Sequence, residues 1–288
     1  MGLGDAVVGV SHECDYPPGA RRKPIVVRTV IDAERASSEE IDRAVRASLA
    51  RRESLYEVDA EALRRARPDL IVTQELCDVC AVDAGRVTAA LRSLPDRPQV
   101  VSLHPHTLEE SLEDIRRIGE ATGRRDDAEA LRRSCRERLA RLRDRLSGIT
   151  RRPRVFCLEW LQPLMASGHW VPEMVELAGG RELLGHAGEL SRVVTADDVA
   201  AARPEKLVLM PCGFSIERTR SELSLVAGQP WWETLPAVRD RQVYLVNGPA
   251  YFNRPGPRLI DGVELLAGLF HPETCADLIP RDSVLRPE

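Results

Sequence analysis

Lysine is almost missing from this 288-residue chain, which carries only Lys23 and Lys206. A phosphate-cradling loop needs a lysine between a glycine and a hydroxyl residue, and neither lysine stands in that setting. Gly2 and Gly4 have no strand before them and no third glycine in register, which excludes a dinucleotide fingerprint. Gly9-Val10-Ser11 runs on into His12-Glu13 and so lacks the second glycine of a nucleophile elbow. No apolar run approaches the roughly 20 residues of a membrane helix. The seven cysteines are odd in number and unevenly spaced, which argues for reduced thiols and against a disulfide scaffold. No basic stretch, apolar core and small-residue cleavage site open the sequence, so a cytoplasmic location is expected.

The remaining composition is that of a soluble globular protein, 43% hydrophobic and 30% charged. Its 45 acidic against 41 basic residues leave a net charge of −4. The arginines alternate with acids along helix-like stretches and form no patch, so neither nucleic acid nor membrane insertion is expected.

An internal repeat organises the chain. Val58-Asp59-Ala60-Glu61-Ala62-Leu63 leads through Ala66-Arg67-Pro68-Asp69 into the apolar run Leu70-Ile71-Val72. Val194-Thr195-Ala196-Asp197-Asp198-Val199 leads through Ala202-Arg203-Pro204-Glu205 into Leu207-Val208-Leu209. Each unit is a capped helix, a proline that stops it, and a strand. Leu94-Pro95 and Leu235-Pro236 precede the next apolar runs in the same way. Alternating helix and strand predicts an α/β fold with parallel sheets, here in two lobes. The N-terminal lobe is expected over residues 1–106 and the C-terminal lobe over 151–288. Between them, residues 107–150 are polar and helical. Gly123 is expected to part a first helix from a second of about 22 residues, roughly 33 Å long at 1.5 Å per residue. Leu131, Leu139, Leu142 and Leu146 mark its apolar stripe, and Asp126, Glu129, Arg133, Glu137 and Arg141 its polar side. Such a rod is read as a bridge between the lobes.

Ligands of open parallel sheets gather beyond the carboxyl ends of the strands. With strands expected at 6–10, 70–73 and 100–103, the first lobe presents His12, Glu13, Cys14, Asp15 and Tyr16, then Gln74, Cys77 and Cys80, then His104. His12, Cys14, Cys77 and Cys80 make a soft, zinc-type ligand set, although a single CxxC has no second pair at finger spacing. A nucleophilic Cys14 or Cys77 served by a histidine base is the enzymatic alternative. With strands at 154–158, 207–210 and 243–246, the second lobe presents Glu159, Trp160, His169, Trp170, Phe214, Tyr251, Phe252 and Asn253. Aromatics are only 4% of the chain, so their concentration here suits a large, mostly apolar ligand. Trp231 and Trp232 read as packing or rim residues, His186 and His271 as surface or packing residues.

Gly9-Val10-Ser11-His12-Glu13-Cys14-Asp15-Tyr16-Pro17-Pro18 with Pro24-Ile25-Val26-Val27, residues 74–82, 159–180 and 251–266 together resemble the cobalamin-type substrate-binding proteins of ABC transporters. These belong to a superfamily of metal and chelate receptors with a helical backbone, whose siderophore and haem receptors share similar motifs. The resemblance spans nearly the whole chain. It implies a class III substrate-binding fold and a binding function without catalysis, with cobalamin or a related corrinoid or tetrapyrrole held between the lobes. Aromatic walls from Tyr16, Trp160, Trp170, Phe214, Tyr251 and Phe252 would then face the ligand, with Glu13, Gln74, Glu159 and Asn253 bonding its polar edge. The alternative it leaves is a zinc-type metal, a ferric chelate or haem. An ABC permease is the partner implied. Relatives carry a strand and helix ahead of the position matching Leu3, so the expectation is either a first lobe that lacks an edge of its sheet or a true start upstream, which would make a periplasmic or extracellular location the expected one.

Overall fold

The computed structural model describes residues 1–33, 35–74 and 97–287. The chain divides into two compact units, residues 1–104 with 114–130 and residues 105–113 with 131–288. Each is an α/β assembly, and helices run from one into the other. Leu108–Ala121 and Arg125–Leu146 are these helices, parted at Gly123, whose φ of 68° suits the glycine that stops the first. The second has the 22 residues its periodicity predicts. Its buried line is Ala128, Arg132, Cys135 and Leu142, while Asp126, Glu129, Arg133, Glu137 and Arg141 are exposed.

In the first unit, β1 (Val10–Ser11) lies parallel to β2 (Ile25–Thr29), which pairs antiparallel with β3 (Tyr56–Val58). β4 (Leu70–Gln74) and β5 (Gln99–Leu103) form a separate parallel pair. The strand expected at 6–10 is thus corrected to two residues. Its register with β2 is irregular, and Val7 and Val8 stay 39% and 43% exposed, so no burial holds the earlier residues extended.

In the second unit the parallel strands β6 (Arg154–Trp160), β10 (Lys206–Leu209) and β11 (Val243–Val246) lie side by side, with β10 in the middle. Residues 155–158, 207–209 and 243–246 are buried, the continuous apolar pattern of strands covered on both faces. Phe156, Leu158, Leu207, Leu209 and Leu245 build the core with Val199, Trp232 and Leu235. β7 (Met165–Ala166) pairs antiparallel with β6 and β9 (Arg192–Val193) antiparallel with β7, β8 (Arg181–Glu182) joins β6 in parallel, and β12 (Val284–Leu285) closes the other edge antiparallel to β11. Among the described residues, no helix is long and apolar enough to cross a membrane.

The repeat is visible in atomic detail. The helices Ala60–Ala66 and Ala196–Ala202 each have seven residues, and the side chains of Asp59 and Thr195 accept the N–H three residues on. Both end on an arginine in the left-handed region, Arg67 at φ 44° and Arg203 at φ 50°, immediately before the proline. A non-glycine side chain there is strained by about 1 kcal/mol. Arg203→Gly should therefore raise stability, by up to about 1 kcal/mol in a urea titration, despite the extra freedom glycine has when unfolded.

Candidate ligand-binding site

The second unit gathers most of the expected residues at the carboxyl ends of β6, β10 and β11. Glu159 and Trp160 are the last residues of β6 itself, not of the loop beyond it. The Glu159 carboxylate accepts the Gly168 N–H at 3.2 Å and the Ser191 hydroxyl at 2.8 Å, which pins the returning turn to the strand. Gly168 is obligatory in that turn, because a Cβ would stand 2.4 Å from Ser191 N and 2.5 Å from Glu189 O. Trp160 is half-buried, donates its indole N–H to the Gln162 carbonyl at 3.1 Å, and meets the Phe214 ring at 5.1 Å between centroids. Arg218 lies over the Phe214 ring, its guanidinium carbon 4.9 Å from the ring centre.

After β11, Asn247 caps the short helix Gly248–Tyr251 by accepting the Ala250 N–H. Tyr251 stays half-buried, with the Arg258 guanidinium 5.3 Å from its ring centre. Asn253 donates to the Met210 carbonyl at 3.2 Å and so ties this loop to the end of β10. Its Oδ1 is buried without a partner.

Three of the expected aromatic residues are buried. Trp170, Phe214 and Phe252 retain 3%, 3% and 1% of their exposure, and the Trp170 indole donates to the Phe252 carbonyl at 2.6 Å. Their rings pack inside the unit, next to the strand-end loops. Within this unit, Trp160 and Tyr251 are the members of the set that keep part of their surface accessible. Trp232 is buried and Trp231 half-buried against it, and His271 is buried on the Gly179 carbonyl, so these are packing residues, while His186 is exposed.

His169 occupies a left-handed backbone position, φ 52°, with its ring stacked on His106 at 5.6 Å. Burial, with His106 beside it, holds this imidazole below its usual pKa. The pairing of His106 with His169 was not legible in the sequence. Arg258 and Ser191 were also missed, and the pattern of arginines flanking Pro255-Gly256-Pro257 behind an aromatic pair is the signal that points to Arg258.

In the first unit His12, Glu13, Cys14, Asp15 and Tyr16 follow β1 as expected. His12 lies 3.4 Å from the Glu13 carboxylate and 6.1 Å, ring to ring, from Tyr56. Cys14 is exposed with its sulfur 3.4 Å from the Ser11 hydroxyl, Asp15 pairs with Arg21 at 3.8 Å, and Tyr16 is 60% exposed. Gln74 ends β4 half-buried and His104 is exposed after β5. Cys77 and Cys80 lie outside the described residues. Among the described residues, no three histidines, cysteines or acids are grouped to hold a metal ion.

Known proteins share this architecture along most of the chain. It is 25% identical over 269 residues to the vitamin B12-binding protein of Vibrio cholerae, covering 91% of this chain and 80% of that one. It is 24% identical over 283 residues to an uncharacterized ABC transporter substrate-binding lipoprotein of Bacillus subtilis, covering 95% and 76%. Among solved structures, the periplasmic haem-binding protein of Roseiflexus in apo form superposes with a TM-score of 0.71 at 21% identity, over 95% of this chain and 92% of that chain. The periplasmic vitamin B12-binding protein of Vibrio cholerae gives 0.64 at 24%, over 94% and 90%. The model of the periplasmic binding proteins matches residues 1–250, and this substrate-binding chain of two α/β units is a member of that family.

Proposed function

We propose that the chain binds cobalamin, or a related corrinoid or tetrapyrrole, reversibly and without chemical turnover, and passes it to an ABC permease. The observation that carries this reading is the pair of half-buried aromatics, Trp160 at the end of β6 and Tyr251 after β11, on the two strands that flank β10, while Trp170, Phe214 and Phe252 beside them are buried. A flat ring with Arg258 behind it suits a large planar ligand that carries acidic or amide groups at its edge. The vitamin B12-binding protein of Vibrio cholerae, alike over 91% of the chain, supports the corrinoid choice.

The test is the visible spectrum of the purified protein after mixing with hydroxocobalamin and desalting. About one retained equivalent is the expected result, as for a single site of low-micromolar affinity or tighter. Retention of haemin but not hydroxocobalamin would move the ligand to the haem class. A folded sample that keeps neither would overturn the reading. Zinc that stays bound and raises the melting temperature would then favour the soft-metal alternative at His12, Cys14, Cys77 and Cys80.

A further inference from the structure

His106 and His169 lie in the same compact unit and stack at 5.6 Å with their planes 18° apart. The Trp170 ring also lies 5.6 Å from that of His169, tilted at 42°. Its Nε2 is shut off from solvent and has no hydrogen-bond partner. The backbone around it is tightly held: the His169 N–H donates to Glu189 O at 2.6 Å, and His169 O accepts the Gly188 N–H at 2.9 Å.

The carboxylates on the surrounding elements are engaged elsewhere. Glu110 accepts the N–H groups of His106 and Thr107, and this holds its carboxyl below the usual range. Glu173 accepts the Leu108 N–H, and Glu159 the Gly168 N–H with the Ser191 hydroxyl. Glu189 meets His169 through its backbone, and both it and His186 are exposed on the stretch that crosses the turn. An imidazolium at His169 would therefore find a second imidazole, a buried indole and no acceptor at Nε2. The Glu110 carboxylate is bonded to the backbone N–H of His106 and not to the His169 ring, so a positive charge on one imidazole of the stack opposes a charge on the other.

We propose that His106 and His169 form a proton-operated latch, closed while the stacked imidazoles are neutral and opened when protonation of His169 drives the rings apart and frees the turn of residues 167–170. The sign follows from the burial of Nε2. The closed turn takes up a proton less readily than the open turn, because water is excluded from Nε2 and a second imidazole lies against the ring, so acid favours the open form. Because this turn is fastened to Glu159 at the end of β6, opening would lower ligand affinity in acid, a consequence that rests on the ligand reading above.

The latch is tested without any ligand, by amide hydrogen exchange on the full chain at about pH 7.5 and about pH 5, corrected for the intrinsic rates. Protection of the amides of His169 and Gly188 should fall about tenfold or more in acid in the native sequence. The fall should shrink to less than about threefold in His169→Phe, which keeps a ring in the stack but cannot titrate. Should the left-handed position refuse phenylalanine, His106→Phe removes the second charge and should also blunt the fall. Equal protection of the native chain at both pH values, or an undiminished fall in a folded variant, would overturn the latch. Failure to retain hydroxocobalamin or haemin bears only on the ligand reading.

Discussion

Trp170→Ala should lower the free energy of unfolding by about 3–5 kcal/mol, the range for removing a large buried aromatic side chain. The ring is 3% exposed, and its indole N–H satisfies the Phe252 carbonyl 82 residues away. Truncation leaves a cavity beneath the strand-end loops and a buried carbonyl without its donor, and these two losses add. Urea unfolding followed at 222 nm would show a lower midpoint with little change in slope. Trp170→Phe separates the terms, because it keeps most of the volume and forfeits the hydrogen bond, at an expected cost of about 1–2 kcal/mol. If alanine cost under about 1 kcal/mol, the ring would be a ligand wall and not core. Ligand affinity of this variant is informative only under conditions where it remains folded.

Glu182→Gln should flatten the pH dependence of stability. Glu182 ends β8, and its carboxyl is pushed up to about 7, chiefly by burial, with the N–H groups of Gly185 and Leu184 partly offsetting the rise. The buried Cys157 thiol lies next to it and is raised well above its ordinary pKa by the same exclusion of water. The native state holds the Glu182 proton more tightly than the unfolded chain, which titrates near 4.5. Below about 4.5 the group has no effect on stability, and between about 4.5 and 7 rising pH erodes stability, by roughly 3 kcal/mol at most. Glutamine carries no charge to expel. The stability difference between about pH 5 and pH 8 should therefore be smaller in the variant by a large part of that amount. An identical difference in both proteins would mean that the native carboxylate is solvated.

The caps that begin and end the repeated helices are local chemistry, and for that reason they were legible. Asp59 and Thr195 each bond an N–H three residues away, and Pro68 and Pro204 stop the chain without any distant help. The 22-residue helix and its break at Gly123 follow from periodicity and one glycine. The parallel core strands followed from unbroken apolar runs, whereas β7, β8, β9 and β12 have two residues each, too short for any pattern to mark. The first strand was misread because Val7 and Val8 look like core and are left exposed by a chain that pairs only from Val10 onward.

From residue types and spacing the sequence determined the class of fold, the repeat and the loops in which a ligand must be sought. Only the tertiary structure decided which aromatic in those loops faces inward. Trp160 and Trp170 are alike in one dimension, but the second is claimed by the Phe252 carbonyl, at the end of a short helix far along the chain. The first, meeting Phe214 after β10, keeps part of its surface. Orientation at a strand end is set by which distant backbone group finds the side chain first, and local sequence carries no record of that partner.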